Sequence, residues 1–207
     1  MIRSLRLALL AAALGLVSAC SILPQSAPVD IYRLPVNQAP GKGTAVDWSL
    51  RLNKPLASDA LGGPRIAVIP QGDVISSYKG ARWSDPVPLL LRNRLLDGFQ
   101  RDGRVPRLSA DDSNLQADYE LGGELQAFQS EYRSGHQVEV VIRYDARLVQ
   151  GRSQRILASK RFEVRQPLGE QTVPAVVAGF GTASDQLARQ VIDWTVGQAG
   201  RAQAKNQ

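Results

Sequence analysis

Between Val138 and Leu148 every second residue is apolar: Val138, Val140, Ile142, Tyr144, Ala146 and Leu148 are interleaved with Glu139, Arg143, Asp145 and Arg147. A period of two is the side-chain period of a β-strand, so this stretch commits the chain to a long strand with one dry face and one wet face. Gly151-Arg152-Ser153 reads as a turn, after which Ile156, Ala158, Phe162 and Val164 run back against it. Upstream, Leu121, Leu125 and Ala127 face one way, while Glu120, Glu124 and Gln126 face the other. Gly122-Gly123 between them predicts a bulge or a bend. Such an antiparallel meander needs a cover over its apolar face.

That cover is legible at the far end of the chain. Val173, Val177, Phe180, Ser184, Leu187, Val191 and Trp194 step by four and three, which is a helical stripe. Thr172 is placed to cap it, and Pro174 falls in its first turn, where a missing N–H is tolerated. Gly179 and Gly181 each cost about 1 kcal/mol against Ala in a helix, which points to close packing on the sheet. A second helix is expected after Asp85 as N-cap, with Pro86 at its first position and Gly103 as its stop. Its apolar stripe is Leu91, Leu95 and Phe99, widened by Leu89 and Leu96, with Arg92, Arg94, Asp97 and Arg101 assigned to the wet side. Short strands precede it at 48–52, 65–69 and 74–79. The expected fold is α+β: a two-layer sandwich of a mostly antiparallel sheet with two helices packed on one face.

The N-terminus carries a different message. Arg3 and Arg6 precede an unbroken apolar run from Leu7 to Val17, followed by small residues, the order of a secretory signal peptide. Val17-Ser18-Ala19-Cys20 resembles the bacterial lipobox, which implies cleavage before Cys20 and acylation of its thiol and amine. Cys20 is the one cysteine of the 207 residues, so acylation leaves no free thiol in an oxidising compartment. The expected division is a signal peptide at 1–19, the lipidated Cys20 and a flexible Pro/Gly-rich tether at 20–46, the folded domain at 47–197 and a polar tail at 198–207. A short edge strand is expected within the tether, where Val29 to Leu34 alternates. Ser21 stands where an inner-membrane retention signal would place Asp, which favours the periplasmic face of the outer membrane.

Charge and motifs exclude more chemistry than they suggest. The net charge of +6 falls to +4 once Arg3 and Arg6 leave with the signal, and the remaining arginines are scattered without stacking aromatics. Nucleic acid is therefore not expected as a partner. Ser76-Ser77-Tyr78-Lys79 spells S-x-x-K, but that nucleophile needs a helix start and partner motifs that the chain lacks. Gly179-Phe180-Gly181 opens no strand-to-helix turn and is no dinucleotide loop. His136, the single histidine, reads as a turn residue rather than a general base, and no second histidine exists to build a zinc site. Asp111-Asp112 lacks the spacing of a calcium loop, and Glu120 with Glu124 reads as a plain wet face. A non-enzyme without metal or cofactor is expected, apart from the covalent N-acyl and S-diacylglycerol lipid on Cys20.

Several stretches in order resemble the ABC-type transport auxiliary lipoprotein family. They are the lipobox, Ile31-Tyr32-Arg33-Leu34-Pro35, Gly63-Pro64-Arg65-Ile66-Ala67-Val68, and Tyr78-Lys79-Gly80-Ala81-Arg82-Trp83-Ser84-Asp85-Pro86. The resemblance implies a domain similar to the N-terminal domain of the Tol-system propeller protein. It also implies work beside an ABC permease and ATPase and an MCE-domain protein that move lipids or other apolar molecules between membranes, by docking or by ring assembly of a homo-oligomer. A lipid-binding carrier that holds acyl chains within the domain is the alternative, and an exported hydrolase a remote one. No catalytic residue is carried over. Within the matching segment Trp83, Tyr78 and Arg82 are candidate interface residues or packing anchors; for Trp83, packing beneath the helix start and recognition of a partner are both open.

Overall fold

The computed structural model describes residues 28–36, 43–113, 115–133 and 137–205. Among the described residues nine strands form one sheet: β1 (Asp30–Tyr32), β2 (Ser49–Leu52), β3 (Leu56–Ala57), β4 (Arg65–Gln71), β5 (Val74–Trp83), β6 (Arg107–Ala110), β7 (Tyr119–Tyr132), β8 (Val138–Gln150) and β9 (Arg155–Leu168). Three helices among the same residues accompany them: α1 (Asp59–Gly62), α2 (Val87–Asp102) and α3 (Val173–Ala204). No helix among the described residues is long and apolar enough to cross a membrane.

The architecture is α+β, but the sheet is mixed and curled. This corrects the expected two-layer sandwich with a mostly antiparallel sheet. Among the described residues five of the eight strand pairings are parallel. The reason lies along β7. One of its edges takes β8 antiparallel, as the meander requires. Along the other edge the chain from Ser49 to Gln71 runs in pieces, all parallel to β7: Leu50 opposite Tyr119, Leu56 opposite Glu124, and Ala67 opposite Gln129. Pro55 cannot donate to a ladder and α1 loops outward, so one long edge is covered by three short strands. Period-two patterns fix strands and faces but not partners or direction, so the parallel pairing along this edge does not follow from them.

The meander itself forms as expected, with the predicted inward residues of β8 all buried. Two details depart from simple alternation. In β7 the register slips by one residue between Leu125 and Ala127. Gly123, at φ +148°, lies against the Asp145 backbone so closely that a Cβ would collide with it. Between β8 and β9 a second slip leaves Leu157 unpaired in the register and turns Ile156 outward, 57% exposed, against its expected inward position.

Both helices cover the dry face. In α3, Thr172 caps the start by accepting from Ala175 N–H at 3.4 Å, as predicted. The helix continues through Gly197 and Gly200 to Ala204 with Ala199 fully buried, so most of the expected polar tail is helical, though largely exposed beyond that residue. α2 begins at Val87, with Pro86 rather than Asp85 as its cap residue and Pro88 in its first turn. The Asp85 carboxylate accepts instead from the Ser84 hydroxyl at 2.8 Å. Gly103 ends α2 in the left-handed conformation, its N–H donating to Phe99 O at 3.1 Å.

Arg92 and Arg94 are not on a wet side: both are buried. Arg92 Nη1 lies 2.5 Å from Asp111 Oδ1, and the Lys54 N–H donates to the other oxygen of that carboxylate at 2.9 Å. Partial burial alone would raise the Asp111 pKa, yet these two donors hold it below the ordinary carboxylate range. Arg94 Nη1 donates to Asp185 Oδ1 at 2.9 Å across the α2–α3 contact. Its other terminal nitrogen donates to the carbonyls of Leu34 and Pro35. At the same crossing a Cβ on Gly181 would meet Pro35 at 3.0 Å. The N-terminal segment is thereby fastened onto the helix pair. β1 adds in parallel to β5, and Tyr32 and Leu34 pack against the core, so chain well upstream of Asp47 takes part in the packing.

Candidate docking surface

The three sequence-singled residues of β5 share one strand but not one environment. Trp83 is 0% exposed. Its ring meets Phe180 of α3 edge-on at 5.2 Å and Phe128 of β7 at 6.1 Å, and those two phenylalanines stack at 4.6 Å. The indole thus joins the sheet to α3, and its backbone N–H donates to Pro64 O at 2.7 Å. Of the two roles open for Trp83, packing is the one the structure assigns. Tyr78 is half-buried with its hydroxyl 2.9 Å from Ser130 Oγ on β7. Burial pushes its pKa up to about 12, so it stays a neutral hydrogen-bonding group at any physiological pH. Arg82 faces solvent. Cys20 and His136 lie outside the described residues, while Ser76 and Lys79 stand exposed along a strand rather than at a helix start.

The pairing of three strands builds a surface around Arg82 that linear reading did not assemble. β4, β5 and β1 set Arg65, Arg82 and Ile31 side by side in one register row. Their neighbours Ile66, Ala81, Trp83 and Tyr32 point the other way, into the core. Strand alternation places Val29 and Arg33 on the same side as Ile31, and all five residues are exposed. Among the described residues none of the three arginines has a carboxylate partner, whereas the arginines of β8 and β9 are all but saturated: Arg143 with Glu163 at 2.7 Å, Arg161 with Asp145 at 2.6 Å, Arg165 with Glu139 at 2.6 Å. Like charges directly opposite on a sheet are unfavourable, so Arg65 beside Arg82 is a local cost with no internal compensation.

A cleft of about 730 Å³ opens at the other end of the sheet, where β2, β7 and β8 meet the end of α3. Its wall includes Arg51, Asp118, Glu120, Arg152 and Gln154. The acids in it hold the fold together: Asp118 accepts from Ser49 N–H at 2.8 Å and Ser49 Oγ at 2.7 Å, and Glu120 accepts from Asn53 Nδ2 at 3.0 Å. These bonds hold the Asp118 carboxyl below the usual carboxylate range. A wall dominated by ions and amides, with only Trp48, Ala117 and Tyr119 as apolar members, offers an acyl chain little apolar lining.

Fold and surface together define an α+β domain with a curled mixed sheet covered by two long helices. Its Trp83 serves packing, and three arginines without a carboxylate partner among the described residues share one side of the β4–β5–β1 edge. The model of the ABC-type transport auxiliary lipoprotein component matches residues 32–192, and the chain belongs to this family. A crystal structure of a Xanthomonas campestris protein superposes with a TM-score of 0.79 at 27% identity, covering 84% of this chain and 99% of that one. A second solved structure, of an uncharacterized protein, has a TM-score of 0.63 at 16% identity over 80% of this chain and 97% of its own, a likeness of fold alone. An uncharacterized protein of Bradyrhizobium diazoefficiens is 30% identical over 165 residues, which cover 79% of this chain but 43% of that relative. The chain therefore spans less than half the length of that curated relative.

Proposed function

We propose that this chain is a non-catalytic, lipid-anchored component of an ABC transport system of the MCE type, moving lipids or other apolar molecules between membranes. In this reading Cys20 carries the acyl anchor at the periplasmic face of the outer membrane, and the domain docks the assembly or orders itself into a ring. The observation that carries the reading is the fate of the family's most specific segment. Within Tyr78 to Pro86, Trp83 packs against Phe180 of α3 and Phe128 of β7 while Arg82 beside it faces solvent, so the segment is a buried anchor under an exposed surface, which supports a role in contact. The polar cleft speaks against the acyl-carrier alternative at that site.

The test is purification of the full-length acylated chain from membranes after mild cross-linking. Recovery of a permease, its ATPase and an MCE-domain protein is the expected result. Recovery of the chain with none of the three would sink the proposal.

A further inference from the structure

We propose that Arg33, Arg65 and Arg82, with Val29 and Ile31 between and beside them, form a face that lies on the anionic lipid headgroups of the membrane in which the chain is anchored. The inference rests on acylation of Cys20 and adds a second, non-covalent contact to it. Three observations carry it. First, the three guanidiniums are exposed and without carboxylate partners among the described residues, whereas Arg143, Arg147, Arg161 and Arg165 of the β8–β9 ladder each face a carboxylate. Arg65 and Arg82 are moreover direct cross-strand neighbours, an arrangement that costs stability unless an anion sits over both. Second, Val29 and Ile31 stay 49% and 57% exposed on the same side. Aliphatic residues among arginines suit an interface where charge meets phosphate and side chains enter the headgroup boundary. Third, the anchor is near. The chain between Cys20 and Val29 can span at most about 30 Å, at roughly 3.3–3.6 Å per residue. Residue 29 leads straight into this face, and Arg94 and the close approach at Gly181 fasten the segment just beyond it to the helix pair. The face is thus held within a short reach of the bilayer.

The test uses the full mature chain with an environment-sensitive dye on Val29→Cys, incorporated through its own acyl anchor into vesicles of phosphatidylcholine alone or with phosphatidylglycerol. A blue shift is expected on the anionic vesicles only, and it should fade at high salt because the contact is screened. Charge removal in the triple variant R33Q/R65Q/R82Q should lower the docked-to-undocked ratio by about fivefold per arginine, on the order of a hundredfold together. The triple lysine variant should keep the shift, which separates charge from any structural role. The same emission on both vesicle types, or an undiminished shift in the glutamine variant, would overturn the proposal. The intact mass of the purified chain reads acylation separately: a chain without acyl mass would remove the anchor reading, and a charge-dependent shift of that chain on added vesicles would still support the face.

Discussion

At the scale of single residues, neighbours in sequence divide sharply by burial. Trp83 fills the junction of β5, β7 and α3, whereas Arg82 beside it touches solvent. Trp83→Ala is expected to cost about 3–5 kcal/mol, the range for emptying a large buried aromatic site. Arg82→Ala should stay within about 0.5 kcal/mol of the parent. Urea denaturation of both variants checks the contrast, and equal midpoints would refute it. Arg94 supplies a sharper case. With its partner Asp185 nearly inaccessible, Arg94→Leu takes the buried guanidinium away from that carboxylate and should cost about 3–5 kcal/mol. The double variant R94L/D185L removes both charges and should regain much of that loss, so a double-mutant cycle shows strong coupling if the pair is as buried as it stands here. Packing was one of the roles the sequence left open for Trp83, but the burial of Arg94 was not readable beforehand. A helical stripe assigns the face opposite the sheet to water, but here α3 covers that face of α2, and the carbonyls of Leu34 and Pro35 complete the cage.

At the scale of elements, what the sequence disclosed was local. The alternation in β8, the stripe of α3, the Thr172 cap and the Gly103 stop all depend on side chains within a few positions of one another, and each formed as read. Partner choice along β7, the slip that turns Ile156 outward and the row Arg65–Arg82–Ile31 depend on pairing between distant segments, and no single-strand period encodes that. The β8–β9 ladder also carries a pH dependence. Its hydrogen bond from Arg161 holds Asp145 below the ordinary 3.8, and the bond from Arg143 holds Glu163 below 4.5. A carboxylate with a depressed folded pKa stabilises fully above its unfolded value and loses that contribution as pH falls through the folded one. Stability should therefore be level above about pH 5 and decline below the 3.8–4.5 range. Urea midpoints across pH 3–7 measure this, and D145N/E163Q should flatten the acid limb. An unchanged limb would mean that these exposed pairs contribute nothing.

At the scale of the whole molecule, the N-terminal strand decides how the domain relates to its anchor. Treated as tether up to residue 46, the chain would let the domain wander some 80–90 Å from the lipid, at roughly 3.3–3.6 Å per residue. With β1 paired to β5 and Pro35 wedged against Gly181, the fixed surface begins near residue 29 and the reach contracts to about 30 Å. Two devices could then keep the domain close, the short leash and the basic face, and they respond differently to length. Doubling the leash with a Gly/Ser insert after residue 24 costs about 0.6 kcal/mol of closure entropy, roughly threefold in local concentration. Removing the three charges costs far more. The expected outcome is that the insert barely shifts the salt concentration at which the Val29→Cys dye leaves anionic vesicles, while R33Q/R65Q/R82Q shifts it strongly downward. Were the insert to release the domain as completely as the charge change, the leash alone would set the position, and the arginines would have to be read as a surface kept for a protein partner.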